Sequence, residues 1–469
     1  MNPRGYFYCA LTTTLNIILY ALTFGNYLWL EGRVRHGLFR NWLREYGYRP
    51  LKFAQPASEE EIVNLIKSAK GVRVFGAGHS FNAGVVSDET LVSLDRYKGV
   101  LSTEKTGNNR LRVALKGGTR VREISKLLFD IGYAFENLPS HDAQSIAGII
   151  STDVHGTGRD WGFVSEAVKS IKLVDGKGEV HECRPTDDLF KAAIGGIGAV
   201  GIITEVTVEA VSRFNVEQKI EMSTWSYVKQ NLDQLIADHD HLSLYLFPFT
   251  DKCQINTWAS TEAKQSFLGP LREFVAISID ALLAAWFANL VSYSGLLPKL
   301  SNLSHGLKKG TNLVMESYKA FNRTIYHLHQ ELEFAVPYKN TVAVCERFIK
   351  LYEEMYATDK LPYTLFEVRF TPAGHDGTMI GPGRERRSTW LDLLANDSRG
   401  YERYFAAAEK LMREVDARPH PGKFNESFNN KDLMRLHHDH FLKFLDLAQQ
   451  HDPDRKFAND FTRRMFWGD

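Results

Sequence analysis

The sequence predicts an α+β protein of two domains, and three observations carry that prediction. From Tyr46 to Val211 helical and strand patterns mix without strict alternation, so 46–211 reads as one α+β domain. Two glycine-bearing turns, each with a histidine, interrupt that region. After Val211 the texture changes to longer strands set among long helical stretches, so 212–469 reads as a second domain, an antiparallel sheet with helices. A chain of 469 residues is long enough to bury a core in each.

The elements follow in order. Ser58 caps a helix that opens on Glu59-Glu-Glu61 and places Ile62, Leu65, Ile66 and Ala69 on one face. Val72-Arg-Val-Phe75 is a strand that runs into Gly76-Ala77-Gly78, then His79, Ser80 and Phe81. Leu91–Leu94 and Leu111–Leu115 read as strands, and Val121–Phe129 as a helix. Ala167–Val174 and Glu179–Glu182 form a hairpin around Asp175-Gly176, and Ile202–Val208 alternates as a strand. In the second domain Leu242–Phe247 and Tyr363–Phe370 are strands.

Composition narrows the function classes. Apolar content of 44% and charged content of 24% are ordinary for a globular protein. The net charge of +1 gives no reason to expect a nucleic-acid partner. Cys9, Cys183, Cys253 and Cys345 lack metal-type or redox-type spacing. From Gly5 to Leu30 there is no charge, a length that spans a bilayer, and Arg33, Arg35, Arg40 and Arg44 follow. Residues 1–31 are therefore expected to be a single uncleaved membrane anchor with the catalytic part on the cytoplasmic side, the alternatives being a removed signal peptide or a merely buried helix. Phe274–Pro298, with Asp280 its only charge, reads as a buried helix or one dipping into a membrane.

The glycine turns carry the chemistry. Two glycines let backbone N–H groups converge on an anion, and a histidine at the mouth lies close to whatever is held. The second segment, Ser145-Ile-Ala-Gly148 through Ser151, Thr152 and His155-Gly156-Thr157-Gly158, has the same character. Two such turns suggest one large phosphate-bearing cofactor gripped from two sides. Gly196-Ile-Gly-Ala-Val-Gly201 matches a dinucleotide pattern but lies between a helix and a following strand, the reverse of the order that fold requires. His437, His438 and His440 read as a solvated helix face, so no metal is assigned. Along Tyr363–Phe370, alternation puts Glu367 and Arg369 on one face, opposite an apolar one.

Arg49-Pro50, Gln55–Ile62, Gly76–Phe81, Gln144–Gly148, His155–Gly158 and Gly195–Thr204 together resemble flavoproteins of the vanillyl-alcohol-oxidase type, within the sugar-1,4-lactone and alditol oxidase branch of gulonolactone and arabinonolactone oxidases. The resemblance implies FAD, bonded covalently through His79. It places Gly76, Ala77, Gly78, His79, Ser80, Phe81, Ser145, Gly148, Ser151, Thr152, His155, Gly156, Thr157 and Gly158 around the cofactor, with Ile202 or Ile203 at its adenosine part. Glu367, Arg369, Lys423 and Ser145 become the candidates for substrate positioning and charge balance. Asp153 stands where the family has glycine, and Pro421 replaces a tryptophan before Lys423; a carboxylate beside a phosphate requires Asp153 to point away. The implied reaction is oxidation of a hydroxyl carbon of a polyol or sugar lactone by hydride transfer to the flavin, with dioxygen as acceptor. The alternatives are a dehydrogenase serving a quinone or protein acceptor, and a membrane-tethered flavin-fold protein without turnover.

Overall fold

A computed structural model describes residues 31–273, 295–306, 310–321, 329–359, 361–374, 376–395 and 400–468, with Thr14, Ile18, Val275, Ala276 and Ser292 as isolated positions. The expected anchor over 1–31 lies almost wholly outside the described residues, and so does most of Phe274–Pro298. No helix among the described residues is long and apolar enough to cross a membrane.

Three short strands, β1 (Arg33–Arg35), β2 (Leu38–Arg40) and β3 (Gly47–Tyr48), make an antiparallel meander. A parallel sheet ordered β4-β6-β5 follows, from β4 (Lys52–Ala54), β5 (Val72–Phe75) and β6 (Thr90–Ser93). The helix Glu59–Ser68 joins β4 to β5, with Ser58 Oγ accepting from the Glu61 N–H at 3.1 Å as its cap. Next come β7 (Val100–Thr106), β8 (Arg110–Lys116), β9 (Tyr133–Ala134), β10 (Val168–Val174), β11 (Val180–Cys183) and β12 (Ile202–Ser212). They order as β11-β10-β12-β8-β7, with β9 pairing the end of β12.

The rest of the chain builds an eight-stranded sheet. Its members are β13 (Asn215–Thr224), β14 (His241–Leu246), β15 (Lys252–Thr261), β16 (Thr311–Glu316), β17 (Gln330–Pro337), β18 (Thr364–Ala373), β19 (Arg387–Ala395) and β20 (Arg418–Pro419). They order as β16-β13-β15-β14-β18-β19-β17-β20, and neighbours run antiparallel.

Side-chain alternation decides what each face of this sheet does. Leu332 and Phe334 of β17, Phe366 and Val368 of β18, and Leu391 and Leu393 of β19 are buried in the core. The same core takes Phe348 and Tyr352 of the helix Thr341–Asp359 and Tyr404 and Phe405 of the helix Glu402–Glu414. Burying each such side chain stabilises the fold by roughly 1.5–3 kcal/mol. The alternate positions Glu331, Glu333, Glu367, Arg369 and Asp392 then fall on the opposite face.

The end of the chain returns to its beginning. After the helix Asp439–His451, the Lys456 carbonyl accepts from the Val72 N–H at 2.7 Å, and Phe457 packs with Ile62, Ile66, Val72 and Ile202. His437 and His440 do not share one helix. His438, at φ 45°, breaks the chain between Asn430–His437 and Asp439–His451; His437 is buried and its two neighbouring histidines are exposed.

Candidate active site

Both glycine turns meet. A Cβ at Gly76 would lie 2.2 Å from Ser145 Oγ, so only glycine lets the first turn pass the second. Gly78 has φ +66°, and a Cβ there would lie 2.8 Å from the Cα of Gly32. The first turn is pinned by the Gly32 N–H on the Ala77 carbonyl at 2.7 Å and the Trp42 N–H on the Gly78 carbonyl at 3.0 Å. Trp42 also stacks on the His79 imidazole, with centroids 5.0 Å apart and planes 17° off parallel. Ser145 caps the short helix Ile146–Ser151, its Oγ accepting from the Gly148 N–H at 3.3 Å.

Two adjoining chambers open between the turns, and they share Gly76, Ser80, Val85, Ser145, Gly148 and Thr152. The second is walled by Arg73, Ser151, Ile202, Ile203 and Phe457. Arg73 is buried there, donating to the carbonyls of Phe457, Gly84 and Ile197, so it staples three loops around that chamber. Two adjoining chambers that share Gly76, Ser145 and Gly148 could together hold one extended dinucleotide such as FAD, with His79 lining one and Ile202 and Ile203 the other.

The first chamber faces the charged side of the large sheet. Arg369 of β18 pairs with Glu333 of β17 and lies 3.5 Å from Asp392 of the intervening β19. Lys423 pairs with Glu331, lies 3.8 Å from Glu333, and sits over the Phe81 ring at 4.9 Å. His155 joins them: its Nε2 is 3.1 Å from Glu333 Oε1, its Nδ1 is 2.8 Å from the Gly156 carbonyl, and its ring stacks on Trp390 at 3.6 Å.

Burial favours protonation of Glu333, but Arg369, His155 and Lys423 outweigh it and hold the carboxyl well below its usual range. Glu331 is depressed in the same way, chiefly by Lys423. Asp392 goes the other way: burial and the adjacent Glu331 and Glu333 raise it well above the carboxylate range, against the opposing charge of Lys423. Burial lowers His141 and His420 to about 3 each. Burial lowers the His155 pKa, against the Glu333 carboxylate, which raises it, and with Arg369, which lowers it further.

The placement of the expected residues divides cleanly. Gly76, Ala77, Gly78, His79, Ser80, Phe81, Ser145, Gly148, Thr152, His155, Arg369 and Lys423 line the first chamber, and Ser151, Ile202 and Ile203 the second. Two placements differ from the expectation. Gly156, Thr157 and Gly158 line neither chamber; the Thr157 hydroxyl donates to the Leu242 carbonyl and the Gly158 N–H to the Phe370 carbonyl, so this stretch ties the turn to the large sheet. His155 lines the first chamber as expected and also joins the charged cluster through Glu333. Glu367 is buried on the Arg369 face but does not line the cleft; the carboxylates that do are Glu331 and Glu333. Those two were legible only as the charged half of Gln-Glu-Leu-Glu-Phe, a strand not singled out from sequence. Asp153 does point away, its Oδ1 accepting from Ser165 Oγ at 2.7 Å.

The D-arabinono-1,4-lactone oxidase family model matches residues 206–465, more than half of the chain, and a model of an FAD binding domain matches residues 50–184. The L-gulono-1,4-lactone dehydrogenase of Mycobacterium tuberculosis is 26% identical over 440 residues, covering 91% of this chain and 99% of its own. The D-arabinono-1,4-lactone oxidase of Candida glabrata is 34% identical over 242 residues, covering 50% of this chain and 46% of its own. A crystal structure of cholesterol oxidase from B. sterolicum superposes with a TM-score of 0.72 at 16% identity, over 93% of this chain and 97% of that one, a likeness of fold alone.

Proposed function

The chain belongs to the D-arabinono-1,4-lactone oxidase family and is an FAD-dependent oxidoreductase, and on that premise we propose that it oxidises a hydroxyl-bearing carbon of an aldonolactone, or of a related polyol, with dioxygen as acceptor. The observation that carries the reading is that Arg369 and Lys423 line one chamber together with His79 and Ser145.

Bound FAD supplies the hydride acceptor. The protein's own groups do the rest. Arg369, with its fork held by Glu333, presents a rigid cation to the lactone oxygens. Lys423, fixed by Glu331, adds a second positive charge, so negative charge that develops on the substrate hydroxyl as its proton departs is stabilised from two directions. The Ser145 hydroxyl is turned to the Gly148 N–H, which leaves it an O–H donor for a substrate hydroxyl. Trp42 stacking holds the His79 ring at the mouth of the first turn, a placement that supports a covalent bond from His79 to the flavin.

Absorbance of purified protein against a panel of aldonolactones, alditols and sugars tests this reading: bleaching near the flavin maximum with lactones is expected, and no bleaching with any member overturns it. Stoichiometric hydrogen peroxide per turnover separates an oxidase from a dehydrogenase, the second reading, which the relative from Mycobacterium tuberculosis favours by its name. The uncharged Gly5–Leu30 and the arginines after it support a further proposal, that residues 1–31 hold the protein to a membrane with its catalytic part in the cytoplasm. Recovery of the full chain in the supernatant after gentle lysis would contradict it.

A further inference from the structure

A second cluster of metal-ligating side chains lies outside the cleft, where the hairpin between β10 and β11 meets the end of the helix Asp439–His451. Asp175 is fully buried in the turn of that hairpin. Its Oδ1 is used up by the backbone N–H groups of Lys177 and Glu179, at 3.0 Å and 2.9 Å. Its Oδ2 faces two imidazoles instead: His181 Nε2 of β11 at 2.9 Å and His451 Nδ1 at 3.2 Å. All three atoms lie within 4.8 Å of one another.

From this geometry we propose a structural site for a divalent transition ion of the zinc class, held by Asp175, His181 and His451. Ligands placed about 2.0–2.1 Å from a tetrahedral zinc are separated by about 3.3 Å, close to the 2.9 Å and 3.2 Å between Asp175 Oδ2 and the two ring nitrogens. Two imidazoles and one carboxylate suit zinc and cobalt. The first oxygen of Asp175, anchored by two N–H groups, supplies the hydrogen-bonded outer shell that orients a metal-ligating carboxylate. His181 is about one quarter exposed, so the fourth position opens to solvent and accepts a water. Lys177 Nζ is an opposing charge, 3.9 Å from Oδ2, on a side chain exposed enough to swing away. The other candidate group, His155 with Glu333 and His420, already carries Arg369 on Glu333 and has Lys423 beside it, so a cation there meets two positive charges.

The site has a consequence for the rest of the fold. Residues just beyond His451 carry Lys456 and Phe457 onto β5 and the second chamber. A metal joining His451 to the β10–β11 hairpin therefore clamps the segment that closes that chamber.

The test uses the full-length, flavin-loaded protein, washed with EDTA, reloaded with zinc or cobalt, and dialysed. One equivalent of metal per chain is expected, with a cobalt d–d band to the red of the flavin absorption and a melting temperature raised by roughly a few degrees. His181→Ala and His451→Ala should each lose the metal and the band, while His451→Gln gives a near-isosteric second check and His420→Ala retains both. Substoichiometric metal in the native protein, or an equivalent retained by both His181→Ala and His451→Ala, overturns the proposal. Metal content is read independently of turnover, so failure of this site and failure of the lactone-oxidising assignment are distinct results.

Discussion

Arg369 and Glu333 pair although their strands are not neighbours. β19 runs between β18 and β17, and the guanidinium crosses it above Asp392 to reach the carboxylate. Register explains the reach: Asp392 lies opposite both Glu333 and Glu367, so three acids occupy one row of the sheet and Arg369 the next. A row of three buried acids is tenable only if they are compensated or protonated. Arg369 compensates Glu333 and Glu367, and burial beside Glu331 and Glu333 raises the Asp392 carboxyl well above its usual range.

Glu333→Gln should therefore disable the site without unfolding the protein. Removing one partner of a buried pair leaves Arg369 mispositioned, and the expected loss in kcat/KM is about 100-fold or more. Steady-state rates on a lactone substrate, with flavin content measured in parallel, give the result. A loss under about threefold would show that Glu333 does not hold Arg369 in place.

Asp392→Asn should be nearly silent in the same assays, because an amide imitates a protonated acid. The expected change in stability is within about 1 kcal/mol, and kcat should hold within a few-fold. A loss as large as that of Glu333→Gln would mean that Asp392 is ionised in the native protein.

His79→Ala should abolish covalent retention of flavin. Acid-precipitated native protein is expected to stay yellow, and the variant's precipitate to be colourless while its supernatant carries free FAD. A yellow precipitate from the variant would place the bond elsewhere.

Gly78→Ala should bind flavin poorly. Its φ of +66° strains an alanine by about 1–2 kcal/mol, and its Cβ meets the Gly32 Cα at 2.8 Å, so the turn must shift. The ratio of flavin to protein absorbance measures the effect; a native ratio would show that the turn adapts.

Asp153→Asn should stabilise the protein above neutral pH. Burial raises the Asp153 carboxyl from 3.8 to about 7, against a smaller opposing effect of the Ser165 hydroxyl. The native state then binds this proton more tightly than the unfolded chain, so the benefit is complete at acid pH and is lost as pH climbs from about 4 through 7. Asparagine tolerates φ +47° and still accepts from Ser165. A gain of roughly 2–4 kcal/mol at pH 8, and little at pH 5, is expected from thermal denaturation. Equal effects at both pH values would rule out the ionisation argument.

Local chemistry was legible in the chain itself wherever it depends on neighbours in sequence. The Ser58 cap, the β10–β11 hairpin, the alternation of β18 and the two glycine turns follow from periodicity and backbone freedom over a few residues. The motifs around His79, Ser145, Arg369 and Lys423 sufficed for the family. Only the folded structure decided which charges meet. Glu331 and Glu333 reach Lys423 and Arg369 through a strand order, β18-β19-β17, that brings together residues distant in the chain. Trp42 backs His79, and Phe457 closes the far chamber, by returns of the chain that leave no periodic trace. Sequence spacing fixes what a turn or a strand face can be, whereas the partner of a buried charge is set by long-range register, because only packing removes the water that would otherwise compete for it.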